Sequence, residues 1–427
     1  MPSLKRPHWP SILLAYLSLM SLGFLDNTRG PFFPDLILAL ELSDFNSSLF
    51  FVATSVAAVI SGFWGAPVLR AWGSLMTLRA GLAAMGLAFV GMSQMTSFMG
   101  LLAFAALFGL GFGWVSVAQN VVIWESSPDH RRRQLMSGLH SMYAFAALVA
   151  PAMASVLAWM QWTWREGFLV AGLWPLLVLI GSIRLRPLTA ARTSSPTPAP
   201  TSTSSSTSSS ASTTASTTAS TTASTSTRAA QNPTPTPQRV TWQALYVSVV
   251  ISFYMFAEIS LGTRLVQYLR RELDYSEVVA PLYLALFFLG LWLGRLSFML
   301  LNTGRWSNQR VMLASAVTSM LAYVLGLIFQ QPWLLVSCGL LLGPFYPVAL
   351  NYVTERFPNS TSQALAFCAG SGSLLVVILH FSLGILTEHF GLHLALFVGP
   401  LGLLVPTVFL LMARNPSPDR KEQRASS

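Results

Sequence analysis

The chain has 427 residues, of which 53% are hydrophobic and only 9% are Asp, Glu, Lys or Arg. A soluble domain carries about 25% charged residues, so this composition excludes a water-soluble enzyme and disorder over most of the length. The formal charge of +10 raises nucleic acid as a partner, but the placement of the basic residues removes that reading.

A helix needs about 20 apolar residues to cross a bilayer. The first apolar run follows MPSLKRPHWPS, a start that could pass for a secretory signal. No small-residue cleavage site follows it, and the run continues through Asp26 and Arg29, so it is kept as a first helix over 10–36. Spans two and three are predicted at 48–69 and 75–95. From Ala80 to Trp124 there are 45 residues without Asp, Glu, Lys, Arg or His. That is twice the length one crossing needs, which predicts a turn near Gln94 to Ser97 and a fourth span over 98–124. Spans five and six follow at 136–160 and 166–184.

The composition then changes abruptly. Thr193 to Thr227 is built only from Ser, Thr, Ala and Pro, a composition that buries no apolar surface and predicts a disordered tether. Spans resume at 242–268, 278–300, 309–329, 332–354, 362–387 and 392–413. Within them Val311 to Thr354 is a second uncharged stretch, of 44 residues, with its turn expected at Gln330-Gln331-Pro332. The expected organisation is a six-helix bundle over 1–186, a linker over 187–240, a second bundle over 241–413 and a tail over 414–427.

Putting both termini in the cytoplasm places 20 of the 25 basic residues on that side, leaving Arg29, Arg165, Arg264, Arg270 and Arg271 for the other side or the membrane. The positive charge therefore sets topology and meets anionic lipid. Cys338 and Cys368 lie in apolar runs, with neither a disulfide framework nor a zinc spacing, so reduced thiols are expected and no metal or cofactor. Gly109, Gly111 and Gly113 sit inside an apolar span with no strand before them, which argues for close helix packing and against a nucleotide fingerprint. No GxxxxGK[ST], HExxH or GxSxG occurs, so neither a primary pump nor an enzyme is expected.

The two halves carry matching residues. Phe24-Leu-Asp26-Asn-Thr-Arg-Gly30 recurs as Phe256-Ala-Glu258-Ile-Ser-Leu-Gly262, Arg79 as Arg310, and Glu125-Ser-Ser-Pro128 as Glu355-Arg-Phe-Pro358, at offsets of 232, 231 and 230. Such a duplicated six-helix unit is an alternating-access architecture. With these residues the chain resembles the major facilitator superfamily: an all-α membrane protein of twelve transmembrane helices in two pseudo-symmetric six-helix bundles. The span-four stretch GLGFGWVSVAQNVVIWESSPDHRRRQLMSGLHSMYAFAALVAPAMA and the span-seven stretch FYMFAEISLGTRLVQYL are similar to the fucose–glucose–galactose proton symporter group. The chain departs from the superfamily pattern at Arg70, where an aspartate is expected, and from that group at Ser116, where it carries a glutamate.

The resemblance implies a proton-coupled secondary transporter of a small polar solute, sugar foremost, working as a monomer in a plasma membrane (a bacterial inner membrane) with both termini cytoplasmic. Drug or metabolite efflux by the same fold and a non-transporting sensor are the alternatives. Charges inside a membrane cost about 3 kcal/mol each on insertion scales, so they are candidates for function. Asp26 and Glu258 are the candidate proton or substrate carboxylates. Arg29, three residues from Asp26, could pair with it and keep it ionised. Glu258 has no cation at helical spacing and must be protonated, hydrated or paired across helices. Asn27, Gln119, Asn120 and Asn351 offer both donors and acceptors, as sugar hydroxyls require, or glue helices together. Tyr143 and Tyr254 are candidate platforms, and His140 a candidate ligand contact or packing residue. Glu125, Arg295 and Glu355 are read as gating charges.

Overall fold

A computed structural model describes residues 7–185, 242–300, 306–357 and 361–413. The expected disordered linker and the tail over 414–427 lie outside the described residues. Every regular element is an α-helix, and in chain order they are α1 (Trp9–Ala39), α2 (Asp44–Gln94), α3 (Phe98–Ser126), α4 (Asp129–Trp159), α5 (Trp164–Ser182), α6 (Trp242–Ser252), α7 (Met255–Arg271), α8 (Val279–Leu300), α9 (Asn308–Ile328), α10 (Pro332–Leu342), α11 (Phe345–Arg356), α12 (Thr361–Ala395) and α13 (Val398–Met412).

These thirteen helices make twelve crossings. At about 1.5 Å per residue, the 51 residues of α2 are far too long for one ~30 Å hydrocarbon layer. Gly73 divides them, with φ 77° and ψ 164°, a conformation that a side chain would strain. Gly391 does the same in α12 with φ 80° and ψ 161°, so 392–395 and α13 together form the last crossing. Conversely, α6 and α7 are one crossing interrupted at Phe253–Tyr254, and α10 and α11 are one interrupted at Gly343–Pro344. The expected turns at 94–97 and 330–332 fall where the chain does leave the helix.

Helix starts follow local chemistry. The Ser43, Ser97 and Ser307 side chains accept from the backbone N–H of Asn46, Gly100 and Arg310, satisfying donors that the first turn leaves free. Thr163 and Glu166 form a reciprocal capping box at α5. The other ends are capped from neighbouring helices. Arg79 donates to the Ser182 and Leu185 carbonyls beyond α5, and Gln309 Nε2 donates to the Leu410 and Ala413 carbonyls at the end of α13. The sequence repeat aligned Arg79 with Arg310. The structure gives the matching role to Gln309, one residue earlier.

One apolar core, built on Leu22, Phe33, Phe51, Phe89, Phe108 and Phe168, fills the first bundle. A second, built on Leu265, Tyr268, Phe287, Tyr323 and Phe345, fills the other and takes in Ala147 of α4. Glycines let helices approach closely: a Cβ at Gly109 would meet the Thr54 carbonyl at 2.2 Å and one at Gly113 the Ser61 hydroxyl at 1.9 Å. The bundles meet along α1–α7, α2–α12 and α4–α8. At the α1–α7 crossing a Cβ on Gly30 would stand 2.9 Å from the Gly262 carbonyl oxygen.

Candidate functional site

The polar bridges between the halves gather at one end, where α1 and α7 finish and α2 and α8 begin. Arg270 binds Asp35 at 2.6 Å, and Arg271 reaches both oxygens of Asp44 at 2.8 Å. Glu388 accepts from the Phe45 amide at 2.9 Å, and Ser155 donates to the Val278 carbonyl at 2.6 Å. Phe45 meets Phe381 edge-on at 5.8 Å. Arginines at the end of a helix and acids near the start of another suit both helix dipoles. This end is sealed.

Below the seal, near the middle of the crossings, each half presents one carboxylate. Asp26 of α1 takes a hydrogen bond from Arg29 on one oxygen and from the Tyr143 hydroxyl, at 2.7 Å, on the other. Glu258 of α7 is held by Arg295 of α8 at 3.2 Å, while its Oε2 has no partner. Both acids stay within reach of water, with 23% and 20% of their side chains exposed although they lie in mid-helix. Tyr143 lies within electrostatic reach of Glu258 and Arg295, so the two ion pairs lie near one another between the halves. Tyr254, at the break between α6 and α7, stacks on Phe345 at 4.9 Å and on Tyr346 at 5.7 Å, at the break between α10 and α11. The broken helices thus deliver an aromatic wall beside Glu258.

The remaining predicted residues divide into groups. Asn27 is buried and spends its amide on the Gly23 carbonyl at 2.7 Å. Asn120 does the same with the Ser116 carbonyl at 2.7 Å. Gln119 is buried with its Oε1 unsatisfied. His140 and Asn351 are exposed. Glu125 accepts from Ser74 across the Gly73 turn, and Glu355 is exposed at the end of α11. Arg295, read as a gating charge, pairs with Glu258. A helical side chain leans toward the N-terminus of its helix, and the long guanidinium carries Arg295 back from the end of α8 to Glu258.

Sequence reasoning left a third group unassigned. Arg264 of α7 is 1% exposed and has no carboxylate partner among the described residues. It donates to Ser48 of α2 at 2.6 Å and to Gln267 at 3.1 Å, and its guanidinium lies 4.4 Å from the Phe33 ring and 5.3 Å from the Phe51 ring. His380 of α12, also buried, stacks on Phe51 at 4.9 Å. The only signal in the sequence was a charge and an imidazole inside apolar runs.

The profile of the Major Facilitator Superfamily matches residues 15–300 and again 247–427, one match for each half with an overlap. No curated protein matches the chain. Among solved structures, a D-xylose–proton symporter superposes with a TM-score of 0.72 at 15% identity, covering 95% of this chain and 98% of that one. A nucleoside transporter gives 0.69 at 9% identity, covering 94% and 98%. A bacterial homologue of the human lysosomal transporter Spinster, in an inward-facing conformation, gives 0.70 at 14%, covering 97% and 100%. At such identities the likeness is one of fold. The duplicated bundles, the mid-helix acids of each half and the match over both halves make this chain a membrane transporter of the Major Facilitator Superfamily.

Proposed function

We propose that the chain is a proton-coupled secondary transporter that carries a small polar solute, a sugar or sugar-like molecule, by alternating access. One observation carries the reading. Each half contributes one water-reached carboxylate in mid-membrane, and an arginine holds each of them. A carboxylate that exchanges an arginine for a proton can couple a proton gradient to the rocking of the halves, because pairing and protonation exclude one another. The Tyr254–Phe345–Tyr346 wall supplies the ring faces on which a sugar stacks, and Tyr143 the hydroxyl that can pass from Asp26 to a substrate oxygen. Glu258 and Arg295 close the same chamber from the second half.

The basic-residue rule puts both termini in the cytoplasm of a plasma membrane, a bacterial inner membrane, and makes the sealed end the outer one. The chamber then opens inward. The protein works as a monomer in this reading, since all the named groups come from one chain.

The test is uptake into proteoliposomes containing the purified chain, with a panel of radiolabelled sugars and an imposed pH difference. Uphill accumulation that follows the gradient and is lost in Glu258→Gln or Asp26→Asn is expected. Transport indifferent to the pH difference would reject the coupling, and accumulation of no sugar on the panel would reject the cargo class.

A further inference from the structure

Two helices of the second half touch through their backbones. α8 carries Gly290 and Gly294, and α10 carries Gly339 and ends at Gly343. A Cβ on Gly339 would overlap the Phe287 carbonyl oxygen, and one on Gly294 the Leu340 carbonyl oxygen. One on Gly290 would stand 2.9 Å from the Leu340 nitrogen. Where this contact ends, a Cβ on Gly343 would meet the Gly294 Cα at 2.7 Å and the Arg295 nitrogen at 2.8 Å. With no side chains between them to rearrange, the two backbones move together or separate.

Both parts of the candidate site in this half begin at that end of the contact. Arg295 reaches back to Glu258 through one hydrogen bond, at 3.2 Å, and leaves its own Nε and Glu258 Oε2 without partners. The two side chains are 31% and 20% exposed, so water reaches the pair. Gly343 stands directly before Pro344, which has no N–H to offer the Leu340 carbonyl, and Phe345 and Tyr346 follow at once. Tyr254 stacks on both of those rings, at 4.9 Å and 5.7 Å, and lies four residues before Glu258. The contacts close into a ring: Glu258, Arg295, Gly343, Phe345 with Tyr346, Tyr254, and back to Glu258.

We infer that the Gly294–Gly343 contact links proton to cargo: it positions Arg295 against the base of the aromatic wall, so that the charge on Glu258 sets where Phe345 and Tyr346 stand. This deepens the proposed function and rests on its proton coupling. A proton taken from water by Glu258 removes the charge that holds Arg295, and the guanidinium lets go. The displacement of α8 that follows is not absorbed between α8 and α10, because their backbones already touch. It passes to the break at Gly343–Pro344, where the helix is least braced. Gly294 and Gly343 are thus positioning residues, in contact with neither proton nor cargo. Coupling is reciprocal, so a solute seated on the wall changes how readily Glu258 takes its proton. The other ionisable groups facing the pair are the phenols of Tyr254 and Tyr346 and, from α4, that of Tyr143, which leads on to Asp26 and Arg29.

The test is the fluorine resonance of trifluoromethylphenylalanine incorporated in place of Tyr346, read in the purified full chain in lipid nanodiscs. The pH is varied over the range in which a membrane carboxylate can titrate, about pH 4 to 9. The resonance should move with pH in the otherwise unchanged chain and stay fixed in Glu258→Gln, whose amide stands for the protonated acid. Gly343→Ala and Gly294→Ala should each remove about half of the movement or more. Gly290→Ala lies on the same contact but away from Arg295, so it should lower the unfolding midpoint and keep most of the movement. A resonance indifferent to pH in the unchanged chain overturns the inference, as does full movement in Glu258→Gln. Full movement in both Gly343→Ala and Gly294→Ala, or an equal loss in Gly290→Ala, reduces the contact to packing and overturns it too. Should the glycine variants fail to fold, Arg295→Lys decides: the shorter reach should diminish the movement, and full movement sinks the inference. Uptake of the sugar panel by the unchanged chain separates this from the parent reading. Uptake that follows the pH difference while the resonance stays fixed leaves a proton-coupled transporter linked by another route, whereas uptake indifferent to the pH difference rejects the coupling itself.

Discussion

Breaking the two ion pairs of the seal should shift the protein toward the state open at that end. Arg270–Asp35 is close at 2.6 Å, with 18% and 27% of the side chains exposed. A pair of this burial that links two moving bodies contributes about 1–2 kcal/mol. Arg271 is bidentate on Asp44 but 48% exposed, so screening reduces it to about 0.5–1 kcal/mol. Both pairs exist only while the halves are closed, so their loss enters the conformational equilibrium in full. Asp35→Asn with Asp44→Asn should therefore move the sealed-to-open ratio by about 1.5–3 kcal/mol, or about tenfold to a hundredfold. The assay is the labelling rate of a cysteine placed at Ser48, buried behind the pairs, by a membrane-impermeant maleimide. A rise of at least tenfold is expected, with most of it restored by exchanging Asp35 and Arg270. High salt should mimic part of the effect through the Asp44 pair. Labelling within twofold of the parent in the double variant would refute the reasoning, because the seal would then rest on the Gly30–Gly262 and Phe45–Phe381 packing alone.

Further expectations concern the helices and the chamber. Gly30→Leu puts a side chain where even a Cβ meets the Gly262 carbonyl at 2.9 Å; it should loosen the α1–α7 crossing and raise the same labelling rate, which pulsed spin-label distances across the seal would check. Gly391→Val forces a branched side chain into φ 80° and should cost about 1–3 kcal/mol, read as a lowered unfolding midpoint with unchanged substrate affinity. Arg79→Ala leaves the Ser182 and Leu185 carbonyls without their donor and should destabilise the chain by about 1–3 kcal/mol in a denaturation series, with Gln309→Ala giving a similar loss in the second half. Glu258→Gln removes the partner of Arg295 and should abolish gradient-driven uptake while leaving substrate exchange measurable; unchanged uptake would remove Glu258 from coupling.

The crossings were legible because hydrocarbon imposes one length and one polarity. The uncharged stretches from Ala80 and from Val311 could only be pairs of spans, and their turns lie where Gln94 and Gln330 interrupt them. The breaks at Phe253–Tyr254 and Gly343–Pro344 were not legible, since nothing apolar changes there; they arise where the aromatic wall turns inward. Asp26, Arg29 and Glu258 stood out as charges among apolar neighbours. Their partners did not. Arg295 lies near a helix end in sequence but in the chamber in space, and Tyr143 was one aromatic among many until α4 packed on α1. Arg264 was read only as a basic residue left for the other side or the membrane, and His380 had no assigned role, because sequence does not show that α12 packs on α2 and that Arg264 reaches Ser48 across the seam. Phe51 was one of 27 phenylalanines.

The same seam couples the burial of Arg264 to the movement of the halves. Arg264 rides on the second half, yet its acceptor Ser48 and its ring partners Phe33 and Phe51 belong to the first. Opening the seal returns the guanidinium to water, and closing it removes that water and leaves one hydroxyl and one amide as acceptors. Closure therefore carries a desolvation penalty at Arg264 that the packing of the seam must offset.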